Sequence, residues 1–202
     1  INFSGRFSGI ANDFTAFGEF KTRLGRVITD LNMKFDPKGY PSYKGSLKAY
    51  DFNLADLLDR SDLGRTTLSA NITGRGLVIN SLHEQLTGNI QYFDYNGYRY
   101  SNIILDGSFT NRLFDGKVRI DDRNVKLNFD GNIDLKPNRP VFNFDAVIRG
   151  ANLHVLNFTK DTLQIDADFT TNFSGSNLNN IQGSFQIEKV RLTNTEDSFV
   201  ID

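Results

Sequence analysis

The sequence contains no cysteine and no tryptophan, one methionine, four prolines and two histidines in 202 residues. The lack of cysteine excludes a disulfide framework and every thiolate metal site. With His83 and His154 as the only histidines, no His-x-x-x-His pair exists, and neither Cys-x-x-Cys nor EF-hand spacing is present. A Gly-x-Ser-x-Gly elbow and a phosphate-cradling P-loop are also missing. Lys plus Arg number 23 and Asp plus Glu 24, a formal net charge of −1, with no basic cluster. Nucleic-acid binding needs concentrated positive charge, so no nucleic acid is expected as a partner. No apolar run approaches the roughly 18 residues of a membrane helix. No secretion signal is visible, and the chain opens on Ile1, which reads as an internal stretch of something longer.

What the chain has instead is phenylalanine, at 18, and glycine, at 17, with abundant asparagine. That is the composition of strands joined by tight turns. Alternation runs through most of the sequence. In "VKLNFDGNIDL", Val125, Leu127, Phe129, Gly131, Ile133 and Leu135 share one face, and Lys126, Asn128, Asp130, Asn132 and Asp134 share the other. Strand side chains alternate with period two, so this is a strand with one dry face and one wet face. Phe142, Phe144, Ala146 and Ile148 repeat the pattern, then Leu163, Ile165, Ala167, Phe169, Thr171 and Phe173, then Ile181, Gly183, Phe185 and Ile187. About twelve such segments are expected from the strand lengths usual in proteins. Asn96-Gly97 between alternating residues marks a hairpin. "DDRN" at 121–124 joins two strands in register, and the prolines of "KPNRP" at 136–140 interrupt the ladder. Connections this short join antiparallel neighbours, which predicts one 1–202 domain that is mainly β, a long antiparallel meander.

One short helix is expected near 53–60, where Leu54, Leu57 and Leu58 fall at helical spacing, Asn53 caps the start and Gly64 follows the end. At about two turns it would act as a plug or lid. A loose apolar-x-Gly-x-apolar motif recurs in "FSGRF", "YKGSL", "LTGNI", "LDGSF", "FDGKV", "FDGNI" and "IQGSF", always with glycine on the apolar face. Glycine there removes a side chain and lets a sheet bend. A sheet of so many strands with one apolar face must close into a barrel, fold into a sandwich or curl into a trough, and periodicity does not choose among these. Asp121-Asp122 reads as turn chemistry, Asp166 and Asp168 as wet-face residues, and His154 as a partly buried structural residue. No catalytic group, cofactor or metal is expected.

The order of these elements resembles a known family. "NDFTAFGEFKTRLGRVITDLNM" (12–33), "YKGSLKAYDFNLADLLDRSDLGRTTLSANITGRGL" (43–77), "FDGKVRIDDRNVKLNFDGNIDL" (114–135) and "FNFDAVIRGANLHVLNF" (142–158) are similar to the periplasmic β-domain of the TamB family of translocation and assembly module proteins, within the AsmA-like group. The likeness covers nearly the whole chain, and it departs from the family hairpin at Arg123, where proline is frequent. It implies a curled β-taco, a U-shaped groove with an apolar interior. It also implies a chain anchored in the inner membrane that crosses the periplasm of a double-membraned bacterium. The roles implied are phospholipid transport between the membranes and outer-membrane protein assembly with a TamA-like barrel partner. Phospholipid acyl chains would then meet Phe114, Val118, Ile120, Leu127, Phe129, Ile133, Phe142, Phe144, Ile165, Phe169, Phe173, Phe185 and Ile187 as the groove lining. Three alternatives stay open: a chaperone binding outer-membrane strands through its sheet edges, a closed structural β-sandwich, and an integral outer-membrane barrel.

Overall fold

A computed structural model describes residues 2–76, 83–136, 139–175, 182–194 and 198–201. Thirteen strands follow one another: β1 (Asn2–Ile10), β2 (Asp13–Thr22), β3 (Gly25–Phe35), β4 (Pro41–Asn53), β5 (Leu63–Arg75), β6 (His83–Tyr95) and β7 (Tyr98–Thr110). The series continues with β8 (Leu113–Asp122), β9 (Val125–Asp134), β10 (Val141–Asn152), β11 (Gln164–Ser174), β12 (Gln182–Thr193) and β13 (Ser198–Ile201). Each strand pairs antiparallel with the next, and the strand order in the single sheet is the order in the chain. Among the described residues the sheet is a curled meander that does not close on itself. Twelve spacings of about 4.8 Å make a stack on the order of 58 Å long.

Local sequence explains the turns. Asn96 and Gly97 sit at φ 50° and 75°, the type I′ geometry that matches strand twist and that asparagine and glycine tolerate. Arg123 and Asn124 form the two-residue link between β8 and β9, with Asp122 opposite Val125. Strand β9 stops at Asp134, and Leu135, expected on the dry face, is 57% exposed beyond its end. Residues 137–138 of the proline turn lie outside the described residues.

The helix is shorter than expected. Helix α1 spans Leu54–Leu58; the Asn53 side chain accepts from the Asp56 amide, and Asp59 at φ 52° ends the turn. Gly64 belongs to β5 instead of capping the helix. No residue of α1 is buried, and Leu57 and Leu58 are both more than half exposed. It plugs nothing.

Because the strand period is two, the register fixes the faces. Direct partners share a face, and the apolar residues of β2 through β12 pair with each other in rows. One row runs Ile120–Leu127–Ile148–Ala167–Val190, and the next Val118–Phe129–Ala146–Phe169–Ile187. Register shifts fall between Ala49 and Phe52, Thr67 and Leu68, Ile148 and Ala151, and Asp168 and Phe169. Such bulges bend and twist a strand, and all lie nearer the sheet margin that carries α1 and the Leu153–Leu163 connection. The opposite face holds cross-strand ion pairs such as Lys117–Asp130 at 2.7 Å and Lys126–Asp121 at 3.0 Å. They are well exposed, so water screens them and they add little to stability.

Among the described residues no second layer covers the dry face. The chain exposes 13131 Å², whereas a compact chain of its mass, 22.8 kDa, would expose about 9,600 Å². The excess is that of an open sheet and argues against a filled sandwich.

Glycines hold the rows together where strands approach closely. Gly107, Gly116 and Gly131 are consecutive partners on β7, β8 and β9. A Cβ added at Gly116 would stand 2.4 Å from the Gly107 Cα and 2.4 Å from the Asp106 carbonyl oxygen. Gly116→Ala is therefore expected to lower stability by about 1–3 kcal/mol, the usual cost of overpacking. The neighbouring wet-face change Ser108→Ala is expected to stay within about 0.5 kcal/mol. Urea unfolding of the two variants beside the parent chain checks both.

Candidate functional site

The thirteen residues singled out from the sequence lie on one face. Phe114, Val118 and Ile120 are on β8, Leu127, Phe129 and Ile133 on β9, Phe142 and Phe144 on β10. Ile165, Phe169 and Phe173 are on β11, and Phe185 and Ile187 on β12. Their pairings, Phe114 with Ile133, Ile133 with Phe142 and Phe142 with Phe173 among them, make a continuous surface. None is buried: eleven are half-buried, and Phe185 and Ile187 are 55% and 51% exposed.

Within that surface the rings form a ribbon. Phe109 and Phe114 have centroids 5.1 Å apart, Phe114 and Phe129 6.1 Å, and Phe129 and Phe144 4.8 Å. The ribbon goes on to Phe169 at 6.0 Å and Phe185 at 5.6 Å. These are the separations of favourable offset and edge-to-face pairs. One ring comes from each of β7 to β12, so the ribbon crosses five strand spacings, about 24 Å. Phe109 completes it at one end and was not among the expected lining residues, although it closes the "LDGSF" motif.

Polar groups on the dry face are few and satisfied. Thr66 and Thr171, each 1% exposed, donate their hydroxyls to the carbonyls of Tyr92 at 2.9 Å and Phe144 at 3.3 Å. Among the described strand residues the face carries two carboxylates, one near each margin. The Tyr43 hydroxyl donates to Glu84 at 2.5 Å. Burial, and then the Glu84 carboxylate, push the Tyr43 phenol well above its ordinary range. At the other margin Asp122 is 4% exposed. It accepts from the Tyr98 hydroxyl at 2.6 Å, the Ser101 hydroxyl at 2.6 Å and the backbone amides of Ser101 and Asn124 at 3.1 and 2.9 Å. Beside it, burial pushes Tyr100 up to about 12. The polar atoms that face the apolar rows are thus tied to one another and leave the rows dry.

The same margin carries a feature that the sequence did not suggest. Tyr100, Ile103, Val125 and Ala151 form a buried cluster with Leu156, which lies in the connection between β10 and β11 and is 2% exposed. His154, expected partly buried, is exposed in that connection, its Nδ1 2.9 Å from the Lys160 carbonyl oxygen. Nothing in the local pattern of "HVLNF" distinguishes Leu156 from the exposed Val155 and Phe158 beside it.

The wet face carries a hollow of its own. About 650 Å³ is lined by Lys48, Tyr50, Thr67, Ser69, Asn89, Gln91, Asn102, Ile104, Arg119 and Asp121, with Leu68, Ile90 and Ile103 contributing where bulges turn the strands. Lys48, Arg119 and Asp121 bring charge into this hollow, in contrast to the phenylalanine surface on the other face. Asp166 and Asp168 stay on the wet face, where Asp168 pairs with Arg149 and Asp166 accepts from the Gly150 amide at 2.6 Å. No group of three or more potential metal ligands occurs among the described residues.

Comparison with family models, curated proteins and solved structures finds no match for the chain.

Asp122 makes a pH prediction. Burial alone would raise its pKa, but hydrogen bonds from Ser101, Tyr98 and the Asn124 amide outweigh burial and hold it below the ordinary value of 3.8. A depressed folded-state pKa contributes stability that is present above the unfolded value of about 3.9 and lost as pH falls through the folded one. Between pH 6 and pH 3 the parent chain is expected to lose more stability than Asp122→Asn, which is less stable at pH 6. Denaturant melts across that range measure the difference.

Proposed function

We propose that this chain is a guiding segment for phospholipid acyl chains, a part of an envelope-spanning protein of the kind that its resemblance to the TamB family implies. In this reading it works in the periplasm of a double-membraned bacterium, in lipid transport between the membranes, in outer-membrane protein assembly, or in both. A TamA-like barrel would be its partner through the longer protein. The observation that carries the proposal is the phenylalanine ribbon: six rings in unbroken contact, half-exposed, with no charged group among them.

The physics of such a surface is simple. An acyl chain gains about 0.8 kcal/mol for each methylene it takes out of water, with no directional contact required. The ribbon's length of about 24 Å exceeds the roughly 15 Å that one leaflet of a bilayer's hydrocarbon core occupies. A tail can therefore lie along it and shift from ring to ring at nearly constant energy. Transport of that type needs no catalytic residue, cofactor or metal. It tolerates many lipids and selects few.

A photo-crosslinker at Phe129 is expected to capture labelled phospholipid in bacteria, and one at the adjacent wet-face residue Asn128 is not. Phe129→Asp with Phe144→Asp is expected to reduce capture elsewhere on the ribbon at least about tenfold, a loss of ~1.4 kcal/mol or more. Equal capture at 128 and 129, or none at either in a folded chain, sinks the proposal. Strand β1 has a hydrogen-bonded neighbour on one side, and a role in binding outer-membrane strands through such an edge would survive the double substitution unchanged.

A further inference from the structure

We infer that the Leu153–Leu163 connection is a fixed cover that sets the width of the apolar lane, with Leu156 as its wedge and Asn157 as its clasp. The inference rests on the acyl-chain reading for its meaning but on independent geometry for its existence.

The connection is built as a compact unit. Its neck is closed by the Leu153 amide donating to the Leu163 carbonyl at 2.8 Å. Inside, the Leu156 amide donates to the Asn152 carbonyl at 3.0 Å and the Phe158 amide to the Leu153 carbonyl at 2.8 Å. The Asn152 side chain accepts from the Val155 amide at 3.1 Å. A loop with close ends and internal bonds of this kind is a packed Ω-type element.

Two contacts hold it across the sheet. The Asn157 side-chain amide donates to the Asn96 backbone carbonyl at 3.0 Å, and the Asn96 side-chain amide donates back to the Asn157 backbone carbonyl at 2.9 Å. Asn96 is in the β6–β7 turn and Asn157 follows β10, so the clasp spans strands β7, β8 and β9. Asn157 reaches it at φ 63°, a left-handed conformation that asparagine tolerates better than most residues. Beneath the clasp, Leu156 packs into the cluster that holds Tyr100, Ile103 and Val125, with Val118 and Ile120 against its edge.

The consequence is a lane of two unequal halves. Near this margin the dry face is filled by the chain's own leucine, while the Phe114–Phe129–Phe144 part of the ribbon stays uncovered. A ligand passing between β6 and β10 is confined to the phenylalanine side. Removing the cover would widen the lane and admit a second chain beside the first.

The absence of cysteine makes the test direct. Ile103→Cys, a position 6% exposed under the cover, is expected to react with a maleimide at least about tenfold more slowly than Phe129→Cys, since its reaction awaits local opening. Leu156→Asp is expected to bring the two rates within about threefold of each other, leaving the rate at 129 unchanged; the paired change Asn96→Gly with Asn157→Gly, which keeps both left-handed turns and leaves the apolar face intact, is expected to accelerate position 103 by a smaller factor. Comparable rates at 103 and 129 in the otherwise unaltered chain would overturn the inference. So would a rate at 103 that neither opening variant moves while 129 still reports a folded sheet. Photo-crosslinkers at the same two positions separate this inference from the proposed function. Lipid captured at 129 throughout, and at 103 only after opening, supports both. The thiol pattern with no lipid at either position supports the cover and removes the acyl-chain reading.

Discussion

A single sheet with one apolar face and no second layer is the constraint on which the rest of this structure depends. Water penalises that face in proportion to its area, and thirteen strands make a large one. The chain meets the penalty in part by bending. Bulges in β4, β5, β10 and along β11–β12 turn the strands, and the glycine partners of β7, β8 and β9 let neighbouring backbones approach where side chains would collide. It does not meet the penalty fully, because the phenylalanines remain half-exposed. A protein selected for stability alone would cover such a ribbon, and its exposure is the main support for a guiding role.

The same constraint explains the margins. A carboxylate facing an apolar surface costs several kcal/mol unless it is bonded. Glu84 and Asp122 are each held by a tyrosine, and Asp122 by three further donors. Polar atoms near the lane are committed to each other. The wet face, by contrast, spreads its ion pairs in water, where they fix register and solubility more than stability.

Where the sheet is most enclosed, the enclosure comes from a loop. The Leu153–Leu163 unit supplies the most buried apolar side chain of the described residues, and the short helix between β4 and β5, with its three leucines, supplies none. Both elements sit at the same margin. The difference is geometric: a connection of eleven residues with a left-handed Asn157 can turn back over the face, whereas the single turn of α1 buries no side chain.

Much of this was legible in the residues. Period-two alternation identified the faces, Asn96-Gly97 and the 121–124 stretch identified hairpins, though the turn itself is Arg123-Asn124 and not Asp121-Asp122, and the thirteen lining candidates fell together because strand parity is a local property that short turns carry from one strand to the next. Other features were not legible. Whether the sheet closes depends on how bends add up over thirteen strands. The burial of Leu156 depends on a contact with a turn 61 residues away, which no local pattern encodes. Phe109 joins the ribbon, and Leu135 leaves the face, through where β7 and β9 end. The sequence by itself determined which side of each strand would be dry, since that follows from the pleat. Only the tertiary structure decided how much of the dry side stays open, since that follows from which distant segment folds back upon it.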